Sequence, residues 1–367
     1  MGDNDRAYLI LENGTVFEGN FFGAQGEITG ELVFATGMTG YLETFTDQSY
    51  YGQIVLQTFP LIGNYGVIPE DFESSCVGPR AYIVKYPCET PSNFRSRDSL
   101  GAFLKERGII GLHGIDTRSL TKIIRQSGVM NGKISPSKPS SANLDQIRDE
   151  IKKYSIVNPI AAVSRLETIK LGNGGRKIAL LDFGAKRGML DALVARNCEV
   201  WIFPYNTSAE EIMKVEPDGI LLSNGPGDPA DSGNRKIVDT IRDLITRGIP
   251  IFGICMGHQL LALANGYKTR KLKFGHRGTN QPVKDTQNGR VYITSQNHGY
   301  EVIAGSLTES STQCVSSFVN VNDGSCEGLD YGVSFSVQFH PEARGGPLDT
   351  NFLFDVFLKR IDDHAAK

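Results

Sequence analysis

A chain of 367 residues is long enough for about two domains, each burying its own core. With 40% hydrophobic and 22% charged residues it has an ordinary globular composition, and a net charge of −3 lacks the basic excess of nucleic-acid binders. No apolar run approaches the roughly 20 residues of a membrane-spanning helix, and the acidic Asp3 and Asp5 stand where a secretory signal would be basic. The expectation is a cytoplasmic chain with no nucleic-acid and no membrane partner. Its six cysteines (Cys76, Cys88, Cys198, Cys255, Cys314, Cys326) form no CxxC pair, so no metal site and no disulfide framework is expected.

Residues 7–11, 31–35 and 53–57 read as strands, and Asn13-Gly14 is a hairpin signal. The polar, Gly-rich stretch from Thr36 to Tyr50 reads as loop and short turns. Helices follow at 99–107, at 117–126 behind Asp116 as N-cap, and at 143–154. Residues 1–154 thus form a domain of mixed β then α character. Residues 155–175, ending in Gly172-Asn-Gly-Gly175, read as a linker, and 176–367 as a second domain.

In the second domain strand and helix alternate. Strands are expected at 178–181, 200–203, 219–222 and 251–254. Helices are expected at 187–196, after the capping box Ser208-Ala-Glu-Glu211, and between Ile237 and Gly248. This order argues for a doubly wound, mostly parallel α/β sheet, whose function sits at the carboxyl ends of its strands. Residues 283–338 return to strand-like alternation, and a last helix is expected at 351–361.

One stretch could carry covalent chemistry. Gly253-Ile-Cys-Met-Gly-His-Gln259 joins a short apolar strand to a helix, with the thiol of Cys255 at the turn. That is the form of a nucleophile elbow, and a helix N-terminus favours a thiolate. A cysteine nucleophile needs a base, and the base an orienting partner. Among His113, His258, His276, His298, His340 and His364, His340 is followed at two residues by Glu342, which puts both on one side of an extended segment. His258 follows Cys255 on the helix, where it would point away from the thiol into a structural role. On spacing alone, a surface His beside a Glu is the commoner meaning of His340-Pro-Glu342.

Together, Gly253-Ile-Cys-Met-Gly-His-Gln259 and His340-Pro-Glu342 resemble the two signatures of class I, triad-type glutamine amidotransferases. The first domain, through Thr36-Gly-Met-Thr-Gly-Tyr41, Thr46-Asp-Gln-Ser-Tyr50, Gly63-Asn-Tyr-Gly66 and Gly114-Ile-Asp-Thr-Arg118, resembles the family of carbamoyl phosphate synthetase small subunits. So do Asp182-Phe-Gly-Ala-Lys-Arg187, Ser223-Asn-Gly-Pro-Gly-Asp-Pro229 and Gln296-Asn-His-Gly299. The resemblance implies a triad of Cys255, His340 and Glu342, and a glutamine site made by Ser49, Gly225, Gly227, Met256, Gln259, Asn297, Gly299 and Tyr300. Within that set the N–H groups of Gly225 and Met256 would form the oxyanion hole. Lys186 would lie near the site. The family commonly has Leu at Met256 and Phe at Tyr300.

The resemblance further implies hydrolysis of L-glutamine through a cysteine thioester, with ammonia passed to a large ATP-dependent synthetase subunit for pyrimidine or arginine synthesis. No cofactor is implied in this chain; ATP and magnesium are expected in that partner. Two other readings stay open, a glutaminase serving a different synthase and a non-catalytic scaffold of the same fold.

Overall fold

The computed structural model describes residues 5–306 and 314–366. Asp3, part of the acidic N-terminus, lies outside them. The chain divides into two compact units, the first ending at Val157 and the second beginning at Asn158.

In the first unit Asn13 and Gly14 make the expected turn: the Thr15 N–H donates to Asn13 Oδ1 at 2.9 Å, and Gly14 takes a φ of 91°. The hairpin pairs Leu9 with Phe17 and Ile10 with Val16. Seven strands close a barrel in the order Arg6–Leu11, Val16–Gly23, Ile110–His113, Ala81–Val84, Gln53–Gln57, Ile28–Ala35 and Met130–Ser135. Two of these, Ile110–His113 and Met130–Ser135, lie in the half expected to be helical. The first is only four residues long, and the second has the polar sequence Met-Asn-Gly-Lys-Ile-Ser. Neighbouring strands supply the hydrogen bonds that their own sequences do not announce.

The helices Leu100–Glu106, Thr117–Ser127 and Leu144–Lys152 stand where periodicity places them. Asp116 caps the second by accepting from the Ser119 N–H at 2.9 Å. The stretch from Thr36 to Tyr50 corrects the loop expectation: it holds a helix at Tyr41–Thr46 and a 3-10 turn at Gln48–Tyr50. Tyr41, Leu42 and Phe45 are its buried face, and the Tyr41 ring stacks on Tyr65 with centroids 4.2 Å apart. A six-residue helix leaves too little periodicity to stand out among glycines and hydroxyls.

The linker at 155–175 is also corrected. After the break at Val157 it contains the helix Pro159–Val163 and the strand Ile169–Leu171, which pairs antiparallel with Cys198–Pro204. Arg165 clamps this segment down, with its backbone N–H and its Nε donating to Asp182 Oδ2 at 3.0 and 2.9 Å.

The second unit is built on a ten-stranded sheet. Five central strands are parallel, in the order Cys198–Pro204, Arg176–Asp182, Gly219–Leu222, Ile251–Ile254 and Phe335–Val337. Beyond Phe335–Val337 the sheet turns antiparallel through Cys326–Asp330, Val291–Ile303, Lys268–Asp285 and Val315–Asn320. The strand Lys268–Asp285, rich in lysine and arginine, is held by its long pairing with Val291–Ile303. Helices cover both faces. Arg187–Val194 and Leu353–Ala365 pack on one side through Met189, Leu193, Phe354 and Phe357. Arg235–Thr246 and Met256–Ala264 pack on the other through Ile237, Ile241, Leu260 and Leu261. After Arg176–Asp182 the chain winds first to one neighbouring strand and then, across it, to Gly219–Leu222. That reversal opens a crevice at the carboxyl ends of the strands, beside the end of Ile251–Ile254, where Cys255 stands.

Candidate active site

Cys255 follows the last residue of the strand Ile251–Ile254 and is the N-cap of the helix Met256–Ala264, with φ 55° and ψ −103°. A non-glycine residue in such a conformation is strained by about 1–3 kcal/mol and persists only where its surroundings dictate it. Here they do. The Cys255 N–H donates to Val337 O at 2.9 Å, the Gly257 N–H to Ser223 O at 3.0 Å, and Cys255 O accepts from the Gln259 N–H at 3.2 Å. The flanking glycines are required by space. A Cβ on Gly253 would stand 2.7 Å from the Gly257 carbonyl oxygen, and one on Gly257 would run into the Leu222 carbonyl. The turn therefore aims the buried thiol out of the sheet's carboxyl edge, 3.6 Å from the Asn297 carbonyl oxygen.

His340 follows the strand Phe335–Val337, and its N–H is tied to Ser295 O at 2.9 Å. Its Nδ1 lies 2.6 Å from Glu342 Oε1, with both side chains buried. The contact with a carboxylate makes Nδ1 the protonated nitrogen and leaves Nε2 for the thiol. Burial and the Lys186 ammonium oppose a charged imidazole, but Glu342 and Cys255 favour it and prevail, so its pKa stands well above the ordinary value. Burial alone would raise the Glu342 pKa; His340, and after it Lys186, reverse this and hold the carboxyl below its usual range. Lys186 Nζ sits 3.7 Å from Glu342 Oε1. The family resemblance implies that Lys186 lies near the site; the structure shows that it faces the Glu342 carboxylate.

The glycine loop Ser223–Pro229 follows the neighbouring strand. A side chain on Gly225 would run into the Phe183 carbonyl, and Gly227 takes a φ of 96°. The Gly257 bond to Ser223 ties this loop to the elbow. Met256, at the first position of its helix, has an N–H with no intrahelical acceptor. Asn297, Gly299 and Tyr300 lie on the strand Val291–Ile303, where Asn297 pairs with Arg277 and Tyr300 with Lys271. Gln259 behaves differently from a free amide: its Nε2 donates to Tyr300 O at 2.7 Å and to Gln338 Oε1 at 2.9 Å. Its visible task is to hold the Tyr300 backbone. Gln338 is a member of this network that sequence reasoning missed, although it lies two residues before His340 on the same extended run.

His258 takes the structural role expected of it. It is fully buried with Nδ1 2.8 Å from Ser336 Oγ, and burial presses its pKa down to about 3. Ser49 belongs to the first unit, in the 3-10 turn Gln48–Tyr50, with its N–H donating to Asp47 Oδ1 at 2.9 Å. The second unit alone thus assembles Cys255, His340, Glu342, the glycine loop and the strand of Asn297.

A buried thiol, an oriented imidazole and an adjoining glycine loop suit attack on a carboxamide. Comparison with known proteins agrees. Residues 9–134 match the family described as carbamoyl-phosphate synthase small chain, CPSase domain, and residues 179–360 match glutamine amidotransferase class-I. The chain is 49% identical over 361 residues to the carbamoyl phosphate synthase pyrimidine-specific small chain of Halalkalibacterium halodurans, covering 97% of each chain. It is also 49% identical to the carbamoyl phosphate synthase small chain of Fusobacterium nucleatum, over 97% of this chain and 98% of that one. The corresponding chain of Clostridium perfringens matches at 49% over 96% of this chain and 99% of its own. The chain belongs to the carbamoyl-phosphate synthase small-chain family, and its second unit is a class-I glutamine amidotransferase domain.

Proposed function

We propose that this chain hydrolyses the side-chain amide of L-glutamine and delivers the ammonia to a large ATP-dependent synthetase subunit that makes carbamoyl phosphate. The observation that carries the reading is the buried pair of His340 and Glu342, with Glu342 Oε1 2.6 Å from His340 Nδ1, in the unit whose elbow holds the buried Cys255 thiol. The names of the relatives support the partner and the product, and one of them is pyrimidine-specific.

His340 takes the thiol proton while Glu342 holds its ring, and the Cys255 sulfur attacks the amide carbon. The N–H groups of Gly225 and Met256 receive the oxyanion, at about 3 kcal/mol per donor. As the tetrahedral species collapses, His340 returns the proton to the leaving ammonia and a thioester remains. Water, deprotonated by His340, then releases glutamate. Ser49, Gly227, Gln259, Asn297, Gly299 and Tyr300 complete the proposed substrate site, Gln259 through its hold on Tyr300. We assign no metal or organic cofactor to this chain, and place ATP and magnesium in the partner. A cytoplasmic location is part of the proposal; among the described residues no helix is long and apolar enough to cross a membrane.

Ammonia release from glutamine by the complex of this chain with its large subunit tests the reading. Cys255→Ala should reduce release to background and abolish labelling by a diazoketone analogue of glutamine. Equal release by wild type and Cys255→Ala would overturn it.

A further inference from the structure

The two N–H groups read as the oxyanion hole come from different settings. Met256 opens a helix, and the carbonyl of its peptide plane, Cys255 O, accepts from the Gln259 N–H at 3.2 Å. Gly225 stands on the loop Ser223–Pro229, where no helix turns its peptide plane. The carbonyl of that plane, Asn224 O, accepts instead from the Ser223 hydroxyl at 2.9 Å. In a trans peptide the C=O and the N–H lie in one plane and point in opposite directions. The bond to Asn224 O therefore sets the direction of the Gly225 N–H.

Ser223 is fully buried, and its backbone and side chain are all engaged. Its N–H donates to Leu181 O at 3.2 Å, and its carbonyl accepts from the Gly257 N–H at 3.0 Å. Its Oγ accepts from the Phe183 N–H at 2.8 Å. A backbone N–H only donates and a carbonyl only accepts, so the one hydroxyl hydrogen goes to Asn224 O. Ser223 thus joins the elbow, the turn after Arg176–Asp182 and the glycine loop. That turn is itself held. Asp182 Oδ1 accepts from the Gly184 and Ala185 N–H groups at 3.0 and 2.7 Å, and Asn224 Oδ1 accepts from the Lys186 N–H at 3.1 Å. A Cβ on Gly225 would stand 2.4 Å from the Phe183 carbonyl oxygen, so the loop lies directly against it. Glycine resists rotation of its backbone less than any other residue. A donor carried on glycine needs such support to be in place before charge develops.

We propose that Ser223 is a positioning residue that acts through the Asn224–Gly225 peptide to aim the Gly225 N–H, and so stabilises the oxyanion rather than bound glutamine. The inference rests on the reading of Gly225 as an oxyanion donor in glutamine hydrolysis. In the complex with the large subunit, Ser223→Ala should lower kcat for hydrolysis about tenfold, a part of the hundredfold or more that loss of a whole donor costs. Glutamine binding, measured by calorimetry in a Cys255→Ala background, should stay within about twofold with or without Ser223→Ala, because only the transition state has lost an interaction. Modification of Cys255 by iodoacetamide, in which sulfur displaces iodide and no oxyanion forms, should keep its wild-type rate. Synthesis driven by added ammonia, which bypasses the site, should also be unchanged. If Ser223→Ala fails to fold, Ser223→Cys, which leaves a weaker donor in the same place, decides by the same split. A kcat within about twofold of wild type, glutamine binding weakened as much as kcat, or Cys255 modification slowed in step with it would overturn the proposal. A wild-type complex unable to hydrolyse glutamine would overturn the functional reading as well.

Discussion

At the scale of the residue, Cys255 is held at a positive φ by three backbone hydrogen bonds, and the bend is possible because Gly257 has no side chain to meet Leu222. Gly257→Ala should therefore displace the elbow and cost at least a hundredfold in kcat/KM for glutamine, measured beside its melting curve. A variant of wild-type rate would show that the close packing is not required. Glu342→Gln keeps the size of the side chain but loses the charge that fixes the His340 tautomer. Its expected loss in kcat is about a thousandfold or more; a loss under tenfold would mean that the carboxylate does not orient the base. Cys255, His340 and Glu342 stood out in the sequence because their two short motifs together resemble the signatures of one family; spacing alone would have left His340 and Glu342 as a surface pair. Gln338 did not stand out, because its contact with Gln259 joins segments that only folding brings together.

At the scale of the element, local signals served where a helix carried its own caps. Asp116 and Ser208 both cap as their sequences suggest. Asp116→Ala should lower stability by about 1 kcal/mol in urea unfolding, with no change in glutamine KM; a change below about 0.3 kcal/mol would deny the cap its role. The strands Ile110–His113 and Met130–Ser135 were illegible. A barrel completes itself by hydrogen bonding between distant segments, and a short or polar strand inside it needs no periodicity of its own. The helix Tyr41–Thr46 was hidden for a different reason: its stability lies in the burial of Tyr41 and Phe45, not in six residues of propensity.

At the scale of the whole molecule, stability should fall in mild acid. His258 is buried neutral with a pKa of about 3, so between about pH 6.5 and 3 the unfolded chain binds a proton there that the folded chain refuses. His258 thus contributes stability that is present above pH 6.5 and lost as pH falls. His298, pressed down by burial, acts in the same sense, whereas buried Glu327, whose pKa is raised, opposes it over part of the window. Between pH 7 and pH 5, His258→Gln should lose about 2 kcal/mol less than wild type in urea unfolding. Equal losses would remove His258 from the account. Cys255→Ala should leave association with the large subunit and ammonia-driven synthesis unchanged, since it alters one thiol and no element.

The sequence by itself determined the class of the second unit and the family, and through that resemblance pointed to Cys255, His340 and Glu342, because strand–helix alternation and two reactive motifs are local properties of the chain. Tertiary structure decided the barrel of the first unit, the helix and edge strand in the supposed linker, the carboxylate that Lys186 faces, and the bonds from Gln259 to Tyr300 and Gln338. Each of these depends on groups far apart in sequence, joined by hydrogen bonds or burial that no spacing along the chain encodes.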